Sequence, residues 1–216
     1  MGDYVAGGVP ERLVPRTTDA RNAREATVVA GRRRGPSVAF WGMAMLVASE
    51  VTLFGTFIGS YYYLRFKTPT WPPGGIPEPK LVVPLVMLAV LVSTTVPMRL
   101  AATAARTGRL AATRLLIALA LIVQSGYFAY EVHDFSDQLR RFEITRNAYS
   151  SIYYTMLGAD HAHVLLGVLF NLWLLGKLAR GFTRYRIHAV QAIAWYWLAV
   201  NVLTIAVIGT LLSARA

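Results

Sequence analysis

The segment VAFWGMAMLVASEVTLFGTFIGSYYYL, from Val38 to Leu64, decides the class of fold. A helix needs roughly 20 mostly apolar residues, at about 1.5 Å of rise each, to cross a bilayer. This segment exceeds that length, and Glu50 is its only charged side chain. Ser37, directly before it, is a suitable N-cap. The sequence therefore predicts a membrane-spanning helix with a carboxyl group near mid-membrane.

Four further apolar segments have the same character, and they cover residues 81–100, 110–130, 149–176 and 189–212. The prolines of 71–77 exclude helix from the first connection, and the short link around Gly108 makes the second and third helices antiparallel neighbours. Residues 131–146 are strongly polar, and we expect them to lie in water. The predicted fold is all-α: an integral membrane bundle of five transmembrane helices over residues 38–216.

Residues 1–37 differ from the rest of the chain in composition. They hold Gly, Pro, Arg and Asp without a hydrophobic period, which predicts a polar, basic N-terminal tail. Much of the protein's basic excess lies here, because seven of its 22 Lys and Arg residues are arginines of this tail. Basic residues beside a membrane segment are a topology signal, so the net charge of +11 does not predict a nucleic-acid partner.

The protein has no cysteine. This excludes disulfides, Cys-ligated copper or zinc, and Cys-ligated iron–sulfur clusters. The sequence also contains no phosphate-binding glycine loop, nucleophile elbow or zinc-protease motif. No catalytic, cofactor-binding or metal-ligating residue is predicted on this chain.

The distribution of Lys and Arg predicts the orientation. Fifteen of the 22 fall in the tail and in the second and fourth connections, which share one side of a five-helix bundle. Because cytoplasmic loops carry the excess of Lys and Arg, the N-terminus is predicted inside and the C-terminus outside.

The candidate site residues are polar side chains inside predicted membrane helices, with a structural or lipid-facing role. Burying a charged carboxylate costs several kcal/mol, so Glu50 is expected to be neutral or to face a partner. Asp160 and His163 lie three residues apart on one helix face, which Gly167 and Asn171 continue. We favour a hydrogen-bonded stripe there over a metal site, because the remaining histidines are expected in or beside loops. Gln124 is the fifth candidate.

Several motifs resemble subunit III of the haem-copper (cytochrome c) oxidases, in its five-helix bacterial form. FWGMAMLVASEV at 40–51 resembles that family's first long helix, with Glu50 at the position of its membrane-embedded glutamate. WPPGGIP at 71–77, Gln124, the 151–164 stretch ending in His163-Val164, and AWYW at 194–197 follow in the family's order. The resemblance covers residues 38–212.

The chain departs from the family pattern at several polar positions. The family usually has His where this chain has Asp160, and Glu where it has Tyr127. After the Tyr-Trp motif the family has His, Asp and Trp, and this chain has Leu198, Asn201 and Thr204. These differences mark a divergent member.

The resemblance implies a cofactor-free accessory subunit of a terminal oxidase that reduces oxygen and translocates protons. Haem and copper are then expected in the partner subunits I and II. The chain would support assembly, bind membrane phospholipid and help sustain proton uptake, in a bacterial plasma membrane. The electron donor, cytochrome c or quinol, stays open.

Two alternatives remain at this point. The accessory subunit of a nitric oxide reductase or of a quinol oxidase has a similar helix pattern. The sequence hardly distinguishes these two from an accessory subunit of a cytochrome c oxidase. A small transporter could use Glu50 and Asp160 as an ion relay. Five helices without an evident internal repeat argue against common transporter designs.

The orientation is directly testable. A reporter fused after Ala216 should be active outside the cytoplasm, because the excess of Lys and Arg places the C-terminus there. A matched fusion in the second connection, after Gly108, should report the cytoplasm. A cytoplasmic signal from the Ala216 fusion would mean that the number of membrane crossings is wrong.

Overall fold

A computed structural model describes residues 38–76, 78, 80–181 and 183–215. The helices are α1 (Val38–Lys67), α2 (Val82–Ser93), α3 (Thr95–Arg106), α4 (Leu110–Arg141), α5 (Ala148–Leu178) and α6 (Arg184–Leu212), followed by a short 3₁₀ turn, Ser213–Arg215. By length and composition, five helical segments can cross a membrane, with α2 and α3 counted as one. The prediction of an all-α, multi-pass membrane protein is confirmed. The predicted tail and the Ser37 cap lie outside the described residues. The orientation of the two termini stays a prediction.

The second membrane segment is not one continuous helix of residues 81–100, as predicted. It is broken at Thr94 and ends at Arg106. Pro97 explains the break, because proline has no N–H to bond the carbonyl four residues before it and its ring crowds that carbonyl. The Thr94 N–H instead bonds the Leu91 carbonyl at 3.0 Å. The predicted tight turn follows, with Gly108 at φ +73°.

The third membrane helix is eleven residues longer than predicted, because α4 continues from Tyr130 to Arg141. Its 32 residues give a length of about 48 Å, well beyond a hydrocarbon core of about 30 Å. Apolar side chains on one face of the extension, Phe135 and Leu139, pack together with Phe142 against a buried cluster that includes Tyr153 and Tyr154 of α5. The prediction of a non-helical connection from 131 was wrong, since this amphipathic face is covered by α5.

The remaining boundaries differ less from the prediction. α1 ends three residues later, and α5 extends slightly at both ends. α6 begins at Arg184, five residues early, where the Thr183 side chain accepts a hydrogen bond from the Arg186 N–H. A polar cap can thus extend a membrane helix beyond its apolar stretch.

α6 is the central helix of the bundle. It packs against α1, α2, α3 and α5, and its membrane segment is the most buried of the five. α1 lies at the periphery and packs against α5 and α6. Contacts at α1 therefore decide whether that helix stays on the bundle.

One end of the bundle is closed by aromatic side chains, and we call it the aromatic end. Trp71 Nε1 donates to the Tyr61 hydroxyl at 3.0 Å, and the Trp71 ring meets Tyr149 edge-on at 4.9 Å. Tyr61 and Tyr149 are buried, so they pack inside the protein rather than forming the exposed belt that interfacial tyrosines usually make. Arg65 also bonds the Ser213 carbonyl at 2.7 Å, joining α1 to the end of α6.

The closest helix contact is that of α5 with α6. A Cβ added to Gly167 would lie 2.6 Å from Cζ2 of the buried Trp197. Only a glycine at this position leaves room for the indole ring, which explains the small residue in the middle of α5.

Gly167→Ala should therefore lower the free energy of unfolding in detergent by about 1–3 kcal/mol, the usual range for overpacking. Gly158→Ala is the matched control on the same helix, because an added Cβ there meets no atom within 4 Å. Steric-trap or denaturant unfolding would measure both. Equal stability of the two variants would contradict the close α5–α6 contact.

Candidate functional site

Glu50 and His163 form a close carboxyl–imidazole pair that joins α1 to α5. Glu50 Oε2 lies 2.7 Å from His163 Nε2, although the two groups are not aligned as a hydrogen bond. His163 Nδ1 lies 2.7 Å from the Ala159 carbonyl, which fixes the ring orientation and requires a proton on Nδ1. The Phe54 ring packs edge-on against the imidazole at 5.3 Å. The carboxyl group predicted near mid-membrane therefore has a partner on a neighbouring helix.

The pair sits near the surface of the bundle rather than at its centre. The Glu50 and His163 side chains are 18% and 15% exposed. Behind them, the Tyr196 hydroxyl of α6 donates to the His163 carbonyl at 2.8 Å. The pair thus lies where the peripheral helix α1 packs against α5 and α6.

Asp160 has a separate partner on α6. The Thr204 hydroxyl donates to Asp160 Oδ1 at 2.7 Å and also lies 3.0 Å from the Val200 carbonyl. Both side chains are buried. Since a buried polar group is costly unless bonded, this contact is what makes a carboxyl group tolerable between α5 and α6.

A third polar contact joins three helical segments. Asn171 Nδ2 on α5 donates to Gln124 Oε1 on α4 at 2.7 Å, and Gln124 Nε2 donates to the Thr94 hydroxyl at 3.1 Å. Thr94 lies at the break between α2 and α3, and its hydroxyl in turn donates to the Leu91 carbonyl at 2.7 Å. The helix break therefore supplies an acceptor for a fully buried amide side chain.

The stripe predicted on α5 exists, but its members do not bond one another. Asp160, His163 and Asn171 face α6, α1 and α4 respectively. Gly167, between them, takes the Trp197 ring. The sequence of α5 indicates a polar helix face, but it does not show which helices the side chains of that face contact.

Three of the four histidines each lie near a different carboxylate. His161 Nε2 lies 3.4 Å from Glu131 Oε2, and His133 Nε2 lies 3.9 Å from Asp137 Oδ2. Contrary to expectation, His133 lies within α4 rather than in or beside a loop, whereas His188 lies in the first turns of α6, beside the loop that precedes that helix. Within the described ranges, no group of three or more His, Cys, Asp or Glu side chains is placed to hold a metal ion.

The sequence analysis did not predict two of the contacts between helices. The Glu131–His161 pair joins α4 to α5, and Asn201 Nδ2 donates to the Thr95 hydroxyl at 2.6 Å, joining α6 to α3. Glu131 was assigned to a connection, so its place on a helix face opposite His161 could not be inferred. Asn201 and Thr204 were recognised only as departures from a family pattern.

The whole-chain comparison bears on these residues. A family model described as cytochrome c oxidase subunit III matches residues 25–210. The chain belongs to this family. Cytochrome c oxidase subunit 3 of Petromyzon marinus is 30% identical over 169 residues, which cover 75% of this chain and 64% of that protein.

Two further subunit III relatives are similar over comparable lengths. The protein of Myxine glutinosa is 29% identical over 171 residues, covering 75% of this chain and 64% of the relative. That of Synechocystis sp. is 24% identical over 177 residues, covering 81% and 75%. The chain therefore spans less than two thirds of the length of the two animal relatives.

Within a subunit III framework, two of the departures from the usual pattern are partners of each other. Asp160 and Thr204 lie on different helices and are hydrogen-bonded. Asn201, a third departure, bonds Thr95. Three of the unusual residues, Asp160, Thr204 and Asn201, thus each have a hydrogen-bond partner on another helix.

Thr204→Val tests this pairing, because it keeps the shape of the side chain and removes the donor to Asp160. The free energy of unfolding should fall by about 1–3 kcal/mol, the cost of leaving a buried group unsatisfied. Thr210→Val is the control on α6, since the Thr210 hydroxyl bonds only the Ala206 carbonyl of its own helix. In a double-mutant cycle with Asp160→Leu, additive effects of the two changes would contradict the contact.

Proposed function

We propose that this chain is a cofactor-free accessory subunit of a haem-copper terminal oxidase, in which oxygen reduction is coupled to proton translocation. Its partners are the oxidase subunits I and II, which carry the haem and copper, together with membrane phospholipid. The complex is assigned to a bacterial plasma membrane, with the N-terminus of this chain inside. Membership of the cytochrome c oxidase subunit III family is the main support.

Family membership carries the proposal, and the Glu50–His163 pair supports the structural role assigned to Glu50. The pair joins the peripheral helix α1 to α5, where a structural subunit needs a stable contact. Both side chains of the pair are partly exposed at the surface of the bundle, which supports a position beside lipid. Glu50 is therefore assigned a structural and lipid-adjacent role, and Asp160, His163, Asn171 and Gln124 a structural one.

The donor set of the described residues agrees with a subunit that holds no redox centre. Haem or copper ligation requires imidazole, thiolate or thioether groups directed at one point. His161 and His163 instead face carboxylates on two different helices, α4 and α1. The side chains of this bundle serve helix packing, and electron transfer is assigned to the partners.

Glu50→Gln and Glu50→Ala separate a structural role from an essential proton path. The Gln variant keeps the shape and hydrogen-bonding capacity of the side chain but cannot ionise. It should assemble normally and leave the rate of oxygen reduction by the purified complex nearly unchanged. The Ala variant should loosen α1 and lower the amount of this chain retained in the complex.

Glu143→Gln is the control, because this exposed carboxyl group lies beyond the end of α4. Subunit content is measured by quantitative mass spectrometry and oxygen consumption with an electrode, over repeated turnover. A Glu50→Gln complex that assembles fully but no longer reduces oxygen would place Glu50 on an essential proton path and refute the accessory role.

A further inference from the structure

A cavity of about 190 Å³ lies at the aromatic end of the bundle. It is bordered by α2, α4, α5 and α6 and by the connection that precedes α2. Most of its wall is apolar, with Leu157 of α5 and Ile208 and Leu211 of α6 among the lining side chains. None of the five candidate residues lines this cavity, so it is a feature separate from the polar contacts described above.

The polar wall of the cavity belongs to the part of α4 that continues beyond Tyr130. Four side chains of this part line the cavity at intervals of three, four and three residues: Glu131, Asp134, Gln138 and Arg141. Residues at this spacing share one helix face. The extension of α4 therefore presents a row of polar groups to a space that three other helices border.

Asp134 is the carboxylate of this row that is available to a ligand. Glu131 Oε2 already lies 3.4 Å from His161 Nε2. Gln138 Nε2 donates to Asp134 Oδ2, and the Tyr153 hydroxyl donates to Gln138 Oε1. Because an ionised carboxylate has about four lone-pair sites for hydrogen bonds, the bond from Gln138 leaves Asp134 with further acceptor capacity.

Acidic side chains outnumber basic ones around the cavity. Three carboxylates and two cations line it: Glu78, Glu131 and Asp134, with Lys80 and Arg141. The close pairs of acidic and basic side chains found among the described residues include neither Asp134 nor these two cations. Arg141 lies seven residues from Asp134, about 10 Å along the helix axis. The lining therefore favours a positively charged ligand.

Aromatic rings form much of the remaining wall. Tyr130, Phe142, Tyr149 and Tyr153 line the cavity. Tyr149 and Tyr153 are buried, and their ring centroids lie 5.8 Å apart. Ammonium groups are attracted to the faces of aromatic rings, and sites for quaternary ammonium ligands are built from such rings. The aromatic wall and Asp134 therefore favour the same class of ligand.

We propose that this cavity binds a small organic ammonium compound with an apolar body. The ammonium group would donate a charge-assisted hydrogen bond to Asp134 near the Tyr153 ring, and the apolar body would lie against Leu157 and Ile208. The volume is below the range of about 300–1,000 Å³ that is typical of sites for drug-sized ligands, so the compound is small. The inference does not depend on the oxidase assignment.

The mixed lining distinguishes this ligand from two simpler ones. An inorganic cation satisfies the carboxylate but not the apolar wall, and within the described residues no group of acidic and histidine side chains is placed to hold a metal ion. A neutral apolar compound fills the wall and leaves the carboxylate unused. An organic ammonium compound satisfies both parts of the cavity.

The test is equilibrium binding of 2-phenylethylamine to the full chain in phosphatidylcholine nanodiscs, near neutral pH, where the amine is protonated. 2-Phenylethanol is the neutral compound of similar shape, and 3-phenylpropionate is an anionic one. The amine should bind about tenfold more tightly than the alcohol, because a hydrogen bond to a charged group is roughly twice as strong as a neutral one. The anion should bind most weakly. Nanodiscs without the chain give the background from partition into lipid.

Asp134→Asn keeps the shape of the side chain and removes its charge. It should lower the affinity for the amine about tenfold and change that for the alcohol by less than about twofold, which also checks that the cavity is intact. Asp137→Asn is the matched control, because Asp137 lies three residues further along α4, beside His133, and does not line the cavity. An equal loss in both variants would show general attraction to the acidic part of α4 and overturn the proposal.

The native complex gives an independent check. A photoreactive derivative of 2-phenylethylamine should label peptides of α4 or α5 around the cavity, and an excess of the unlabelled amine should prevent this labelling. The labelling should be lost in the Asp134→Asn complex and kept in the Asp137→Asn complex. Equal affinity of the chain for the amine and the alcohol, labelling elsewhere on the chain, or a partner chain that keeps the probe out of the cavity would contradict the proposal.

Discussion

The cost of leaving a polar group unpaired in hydrocarbon is the constraint on which this bundle depends. Helices in a membrane gain little from hydrophobic burial, so contacts between polar side chains help to define which helices meet and in which register. Each such contact here joins a different pair of helices. Glu50–His163 connects α1 with α5, Asp160–Thr204 connects α5 with α6, and Asn171–Gln124 connects α5 with α4.

α5 takes part in all three of these contacts, although α6 is the helix that packs against the most neighbours. The polar side chains of α5 contact three neighbouring helices. Gly167 has no side chain, which leaves room for the Trp197 ring of α6. Two polar contacts hold the peripheral helix α1, the Glu50–His163 pair and the hydrogen bond from Arg65 to the Ser213 carbonyl. A subunit built in this way can present its remaining helix faces to lipid and to partner chains without exposing an unpaired carboxylate.

The apolar segments alone were sufficient to predict five membrane crossings, because bilayer thickness sets their length directly. Two boundaries were not predictable from hydropathy. α4 continues past Tyr130 because Phe135 and Leu139 pack against neighbouring elements, and the segment before Arg106 breaks because Pro97 removes one helical hydrogen bond. Local polarity hid the first, and the apolar character of both halves hid the second.

The sequence points to the candidate residues but not to their partners. A polar side chain in an apolar helix is conspicuous in a sequence, and its helix face follows from the 3.6-residue period. The residue across the interface depends on helix order and register, which that period does not contain. Thr204 illustrates this, since it appeared only as a departure from the family pattern until its bond to Asp160 was seen.

Purification of the native complex through a tag on this chain, in mild detergent, tests the accessory role most directly. Mass spectrometry of the copurified chains and an absorption spectrum are recorded on the same sample. The proposed function predicts that haem- and copper-binding oxidase subunits are recovered with the tagged chain and that the separated chain has no haem absorption band. Recovery of the chain without these partners, or stoichiometric haem on the separated chain, would contradict it.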